Sequence, residues 1–127
     1  MSSSFKSYRD LEVWQKGIQL AKAIYQLTMS FPSEERFGLT NQMRRAAVSI
    51  PSNIAEGHAR LSTAEFQRFL AIAMGSVAEL ETQIILSTEL DFLSEAASHD
   101  MLSQLHSIGK MGRGLYRSLT SRKGREK

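Results

Sequence analysis

Glu56, His58, Glu79 and Glu81 are the nearest candidates in this chain for the inward carboxylate and imidazole groups that can hold a metal pair in a helical bundle. Di-iron bundles place a Glu-x-x-His pair on each of two helices, and no Glu-x-x-His occurs here. Residues 56 and 58 would also project about 200° apart on a helix. The spacing therefore favours a structural polar layer and no metal site. His99 and His106 lie seven residues apart and can share a helix face, where a solvated pair is the simpler reading. Ser49 and Ser52 have no histidine beside them, and Gly-x-Ser-x-Gly is absent. There is no strand-to-helix glycine loop for a nucleotide phosphate. With no cysteine, thiol catalysis, thiolate zinc sites and disulfides are excluded. The expectation is a non-enzyme without a cofactor.

The basic side chains offer a different chemistry. Lys110, Arg113 and Arg117 follow three- and four-residue spacing, and Arg122, Lys123 and Arg125 extend them into a tail. From residue 110 onward seven cations face one anion, Glu126, so this end carries +6; subtracted from the chain's +3, that leaves −3 on the first 109 residues. An acidic body with a basic end points to anionic partners. One reading is a solvated face whose cations suit the negative end of a helix dipole. The other is a surface for the phosphates of RNA or DNA, with Arg44 and Arg68 as further candidates if they face outward. No recognition helix, zinc finger or aromatic RNA-binding signature accompanies these residues, so contact would be mainly to backbone and weakly sequence-specific.

Four helices must position these groups. The apolar residues repeat at helical spacing, and eight glycines and two prolines in 127 residues are few for a loop-rich β chain. The first helix is expected over residues 11–30, with Leu11, Trp14, Ile18, Ala21, Tyr25 and Thr28 on one face, widened by Leu20, Ile24 and Leu27. Phe31-Pro32 ends it, because the residue before proline is driven from the α region. The second runs over 39–60, and Ser62 with Glu65 has the capping-box spacing that starts a third over 63–91. Phe66, Phe69, Leu70, Ala73, Val77, Leu80 and Ile84 form its buried face, and Gly75 suggests a neighbouring backbone close by. A fourth spans 94–120 through Met101, Leu102, Leu105, Ile108, Met111, Leu115 and Leu119, followed by a frayed tail over 121–127. Short loops make the four an all-α, antiparallel up-down-up-down bundle, a single domain over 1–127. No apolar run approaches the roughly 20 residues that cross a bilayer, and no signal peptide is evident, so a cytoplasmic protein without a membrane is expected.

The second helix carries the most unusual segment. Met43, Ala46, Ala47, Ile50 and Ile54 make an apolar stripe; Arg45, Ser49, Asn53, Glu56 and Arg60 make a polar one beside it. Pro51 stands between them, at a cost of about 3 kcal/mol in a helix interior. Folding this helix back on the third sets Arg45 near Glu79 and Asn53 near Phe69. The expectation is a partly buried Arg45–Glu79 ion pair within a polar layer of Ser49, Asn53 and Glu56.

These residues also carry a family likeness. Residues 5–14 (Phe-x-x-x-x-x-Leu-x-Val-Trp), Phe31-Pro32, Phe37-Gly38-Leu39-Thr40, Gln42-x-Arg44-Arg45-Ala46, Ser49-Ile50-Pro51-Ser52-Asn53-Ile54-Ala55-Glu56-Gly57, Glu65-Phe66-x-x-Phe69-Leu70 and Gly75-Ser76-x-x-Glu79-Leu80-Glu81-Thr82 form the matching set. In these the chain resembles the four-helix-bundle family encoded by intervening sequences of bacterial 23S ribosomal RNA genes. The fourth helix matches only in length and apolar spacing. The resemblance implies a bundle assembled as a ring-shaped homo-oligomer, commonly a pentamer, with no enzymatic activity. Similar bundles act as accessory proteins of diversity-generating retroelements, where a basic ring engages nucleic acid. An aromatic arm, Phe5 and Tyr8, is a candidate for closing such a ring against the neighbouring subunit. The function expected is a scaffold or accessory protein touching RNA or DNA. The alternative is a protein–protein interaction module that never touches nucleic acid.

Overall fold

The computed structural model describes residues 7–125, with side chains over 7–122. Its helices are α1 (Glu12–Thr28), α2 (Leu39–Ala59), α3 (Thr63–Glu89) and α4 (Glu95–Arg125), with 3-10 turns at Tyr8–Asp10 and Ser33–Glu35. Side chains open the helices as their sequences suggest. Ser62 Oγ accepts from the Glu65 N–H at 3.1 Å, and Ser94 Oγ from the Ala97 N–H at 3.1 Å. At the start of α2 the Glu35 carboxylate accepts from the Leu39 N–H at 3.0 Å.

Facing pairs establish the topology. Gly17 meets Pro51 and Thr28 meets Arg44, so α1 and α2 run antiparallel. Ser49 with Ser76 and Met43 with Ser87 do the same for α2 and α3, and Gln67 with Thr120 and Met74 with Gly112 for α3 and α4. The α1–α2 and α3–α4 loops share one end, where Phe31 and Phe92 pack with ring centroids 5.5 Å apart. Leu20, Ile24, Met43, Ile50, Ile54, Leu70, Leu80, Ile84, Leu105 and Ile108 fill the core. Sealing those side chains from water is the main force holding the bundle, at about 1.5–3 kcal/mol each. The seam between α1 and α4 is the thinnest. A cleft of about 410 Å³ lies along it, lined by Lys16, Gln19, Ala23, Ser103, Gln104, Ser107 and Ile108.

Pro51 is buried and α2 continues through it. Its ring fills the notch left by Gly17, where a Cβ would stand 3.3 Å from Pro51 Cβ. The lost backbone hydrogen bond is thus offset by contact between α1 and α2.

Several expectations are corrected. The described side chains form no Arg45–Glu79 ion pair: both residues are exposed, and Glu79 instead accepts from Gln83 at 3.4 Å. The α2–α3 register differs by about one turn, because Phe69 settles against Gly57, whose missing side chain leaves the room, rather than against Asn53. Gly75 faces open space, and the close approaches between helices fall at Gly17, Gly57 and Gly112. The core face of α1 is Val13, Gly17, Leu20, Ile24 and Thr28, leaving Ile18 and Tyr25 each 45% exposed. Tyr8 packs edge-on against its own Trp14, centroids 5.2 Å apart, and stays partly exposed; Phe5 lies outside the described residues. The tail continues α4 as far as Arg125: arginine and lysine propagate helix well, no proline interrupts them, and the helix runs on through Gly124. By length and composition α3 is apolar enough to cross a membrane, contrary to the estimate from apolar runs; it packs along both α2 and α4.

Candidate nucleic-acid interface

The basic surface is built on the last turns of α4, which α3 holds in place. Gln67, buried in α3, donates through Nε2 to Thr120 Oγ1 at 2.6 Å and to the Tyr116 carbonyl at 3.1 Å. Gly112 lies directly under Met74, where a Cβ would come within 2.4 Å of the methionine Cε. Gly109 and Gly114 have a second use. Without side chains of their own they let the long arginines lie back along α4, Arg113 Nη1 passing 3.0 Å from the Cβ position of Gly109.

Lys110, Arg113 and Arg117 are all exposed, and among the described residues none of them has a carboxylate partner. Arg113 and Arg117, with Ala71, Met74 and Tyr116, line a shallow cleft of about 380 Å³. On the other side of Arg113 is a smaller hollow of about 110 Å³ that includes Glu81, His106 and Gly109. The cleft therefore has an apolar floor with cations at its edge. Tyr116 and Met74 are members that sequence reasoning missed. The available signal was position: Tyr116 is three residues from Arg113 and adjacent to Arg117.

The remaining candidates are placed differently. Arg68 is exposed but bound to Glu65 at 3.4 Å, and its guanidinium lies 4.7 Å from the Phe69 ring centre. Arg60 covers the same ring at 4.8 Å and pairs with Glu56 at 2.9 Å. Arg44 is half-buried: it donates to Thr28 Oγ1 at 2.9 Å and to the Tyr25 carbonyl at 3.2 Å, and stacks on the Tyr25 ring. It serves the carbonyl end of α1, where a cation suits the helix dipole. Arg122 is exposed and engaged in an interaction of its own, while the side chains of Lys123 and Arg125 lie outside the described residues.

Of the expected polar layer, the structure brings Ser49 and Asn53 together with Ser76. The two serine hydroxyls are 2.8 Å apart, and Asn53 Nδ2 donates to Ser49 Oγ at 2.9 Å and to the Ser49 carbonyl at 2.8 Å. Arg45, Glu56 and Glu79 stand outside this cluster, on the surface. No group of three or more His, Asp or Glu side chains converges to hold a metal among the described residues.

Comparison with known proteins extends the geometry. A crystal structure from Bacteroides thetaiotaomicron, of a protein with unknown function from the S23 ribosomal protein family, superposes with a TM-score of 0.77 at 24% identity, covering 83% of this chain and 95% of that one. The likeness is one of fold. No curated protein matches the chain significantly. The family model described as 23S rRNA-intervening sequence protein matches residues 9–114, which takes in all of α1, α2 and α3 and most of α4. The chain therefore belongs to the 23S rRNA-intervening sequence protein family.

Proposed function

We propose that this protein is a non-catalytic accessory protein, assembled as a ring of five copies, that holds the phosphate backbone of RNA or DNA on the basic end of α4. The observation that carries this reading is the row of Lys110, Arg113 and Arg117, exposed and, among the described residues, without carboxylate partners. Arg60 and Arg68, by contrast, are each paired with a carboxylate of the body. Assembly would set the +6 end of every copy around one axis and raise the local potential. The apolar side chains Ile72, Ile85, Leu86 and Leu90 on the outside of α3 support assembly, since a lone chain leaves them in water.

Those same apolar residues favour a second reading, in which the ring binds another protein and no nucleic acid. Salt separates the two. Each phosphate contact adds about 0.7–0.9 to the slope of log affinity against log salt, whereas an apolar interface is much less sensitive. Fluorescence anisotropy of a labelled structured RNA and a duplex DNA should show saturable binding with a steep slope. Replacing Arg113 and Arg117 by alanine should lower that slope by about 1–2. Absence of binding at the lowest salt would leave the protein-scaffold reading.

A further inference from the structure

We infer that the cleft between Arg113 and Arg117 is a subsite for an unpaired nucleobase, stacked on Tyr116, so that the polymer held there is single-stranded. The inference rests on the nucleic-acid reading above and adds the form of the ligand.

A surface that only gathers backbone phosphates needs cations and has no use for an apolar floor. This one has both. Ala71, Met74 and Tyr116 provide the floor, and Tyr116 is 40% exposed although α4 has apolar positions facing the core that it could have occupied. Among the described residues no carboxylate lines the cleft. Its volume of about 380 Å³ is at the lower end of the range of about 300–1,000 Å³ for small-molecule pockets, which leaves room for a planar ring and none for a folded partner. Arg113 and Arg117 are one helical turn apart, with Tyr116 between them in sequence.

Those features match one repeating unit of a single strand, a flat apolar ring with an anion on either side. Aromatic side chains bind bases by their π-faces with little regard to sequence, and a cationic groove tracks the backbone between them. Met74 adds a polarisable side chain to the lining. A duplex keeps its bases stacked inside and would meet only the arginines. Gln67 fixes the Tyr116 backbone from below, so the ring is presented by a held turn rather than a loose one.

The assay measures binding of the full chain to an unstructured RNA of about 12 nucleotides, the DNA of the same sequence, its duplex, and the same strand lacking its bases. The single strands should bind tighter than the duplex, and the RNA and DNA arms show which strand the site takes. Tyr116→Ala should bind the intact single strands about 5- to 150-fold more weakly. Tyr116→Phe should restore binding, Tyr116→Leu should not, and the base-free strand should be indifferent to all three. Melting curves check that each variant is folded. If Tyr116→Ala binds single strands as tightly as the unaltered protein, while loss of Arg113 and Arg117 weakens every form, the base subsite is wrong and backbone binding stands. If no form binds at low salt, both ideas fall together.

Discussion

Arg44 and Arg45 are neighbours in sequence with opposite situations. Arg44 reaches across to the end of α1 and makes two hydrogen bonds there, while Arg45 is exposed with no carboxylate partner among the described residues. Arg44→Ala should therefore destabilise the bundle by about 1–2 kcal/mol, a typical range for hydrogen bonds to a charged group that is only half-buried. Arg45→Ala should leave the denaturant midpoint unchanged, and a large loss there would revive the ion pair with Glu79. Glycines divide in the same way. Gly57→Ala would press a Cβ to 2.7 Å from Phe69 Cβ, so a cost of about 1–3 kcal/mol should outweigh the gain in helix propensity. Gly75→Ala meets nothing and should stabilise by about 1 kcal/mol. Both are read from urea unfolding curves. Neither distinction was legible in the sequence. Adjacent helical residues point about 100° apart, so a small error in register exchanges an exposed arginine with an engaged one, or an open glycine with a crowded one.

At the level of elements the sequence was far more informative. The buried stripes of α2, α3 and α4 were readable from their regular spacing; in α2 Met43, Ala46, Ala47, Ile50 and Ile54 are all buried, and in α3 the core stripe stood out although Ile72, Ile85 and Leu86 lie exposed on its other side. α1 was misread because Ile18, Tyr25 and Trp14 form a second apolar face beside the true one, and periodicity alone cannot choose between overlapping stripes. The end of α3 shows a device that spacing did not reveal. The Phe92 N–H returns to the Ser87 carbonyl at 2.9 Å and the Asp91 N–H to Thr88 at 3.0 Å, with Asp91 in the left-handed region at φ 64°. Glycine adopts that geometry without a Cβ clash, so Asp91→Gly should stabilise the helix end by about 0.5–1 kcal/mol. A rise in melting temperature of a few degrees is the expected sign, and a fall would mean that the aspartate side chain has a use of its own.

Seen as a whole, the molecule is polarised in charge and uneven in cohesion. The cleft that gathers Tyr116 with Arg113 and Arg117 was invisible in sequence because it joins α3 to α4 across more than 35 residues of chain. α1, by contrast, is fastened mainly through α2, by Gly17 against Pro51 and Thr28 against Arg44, and its other flank is the thin seam along α4. That asymmetry sets an order of opening. Native-state hydrogen exchange should find α1 amides escaping through a partial unfolding of lower free energy, while α2 and α3 amides exchange only when the whole chain unfolds. Equal protection in all four helices would contradict this. The same order bears on synthesis at the ribosome. The α2–α3 hairpin can form from local contacts before α4 has emerged, and α1 can wait against α2 until α4 arrives to close the last side.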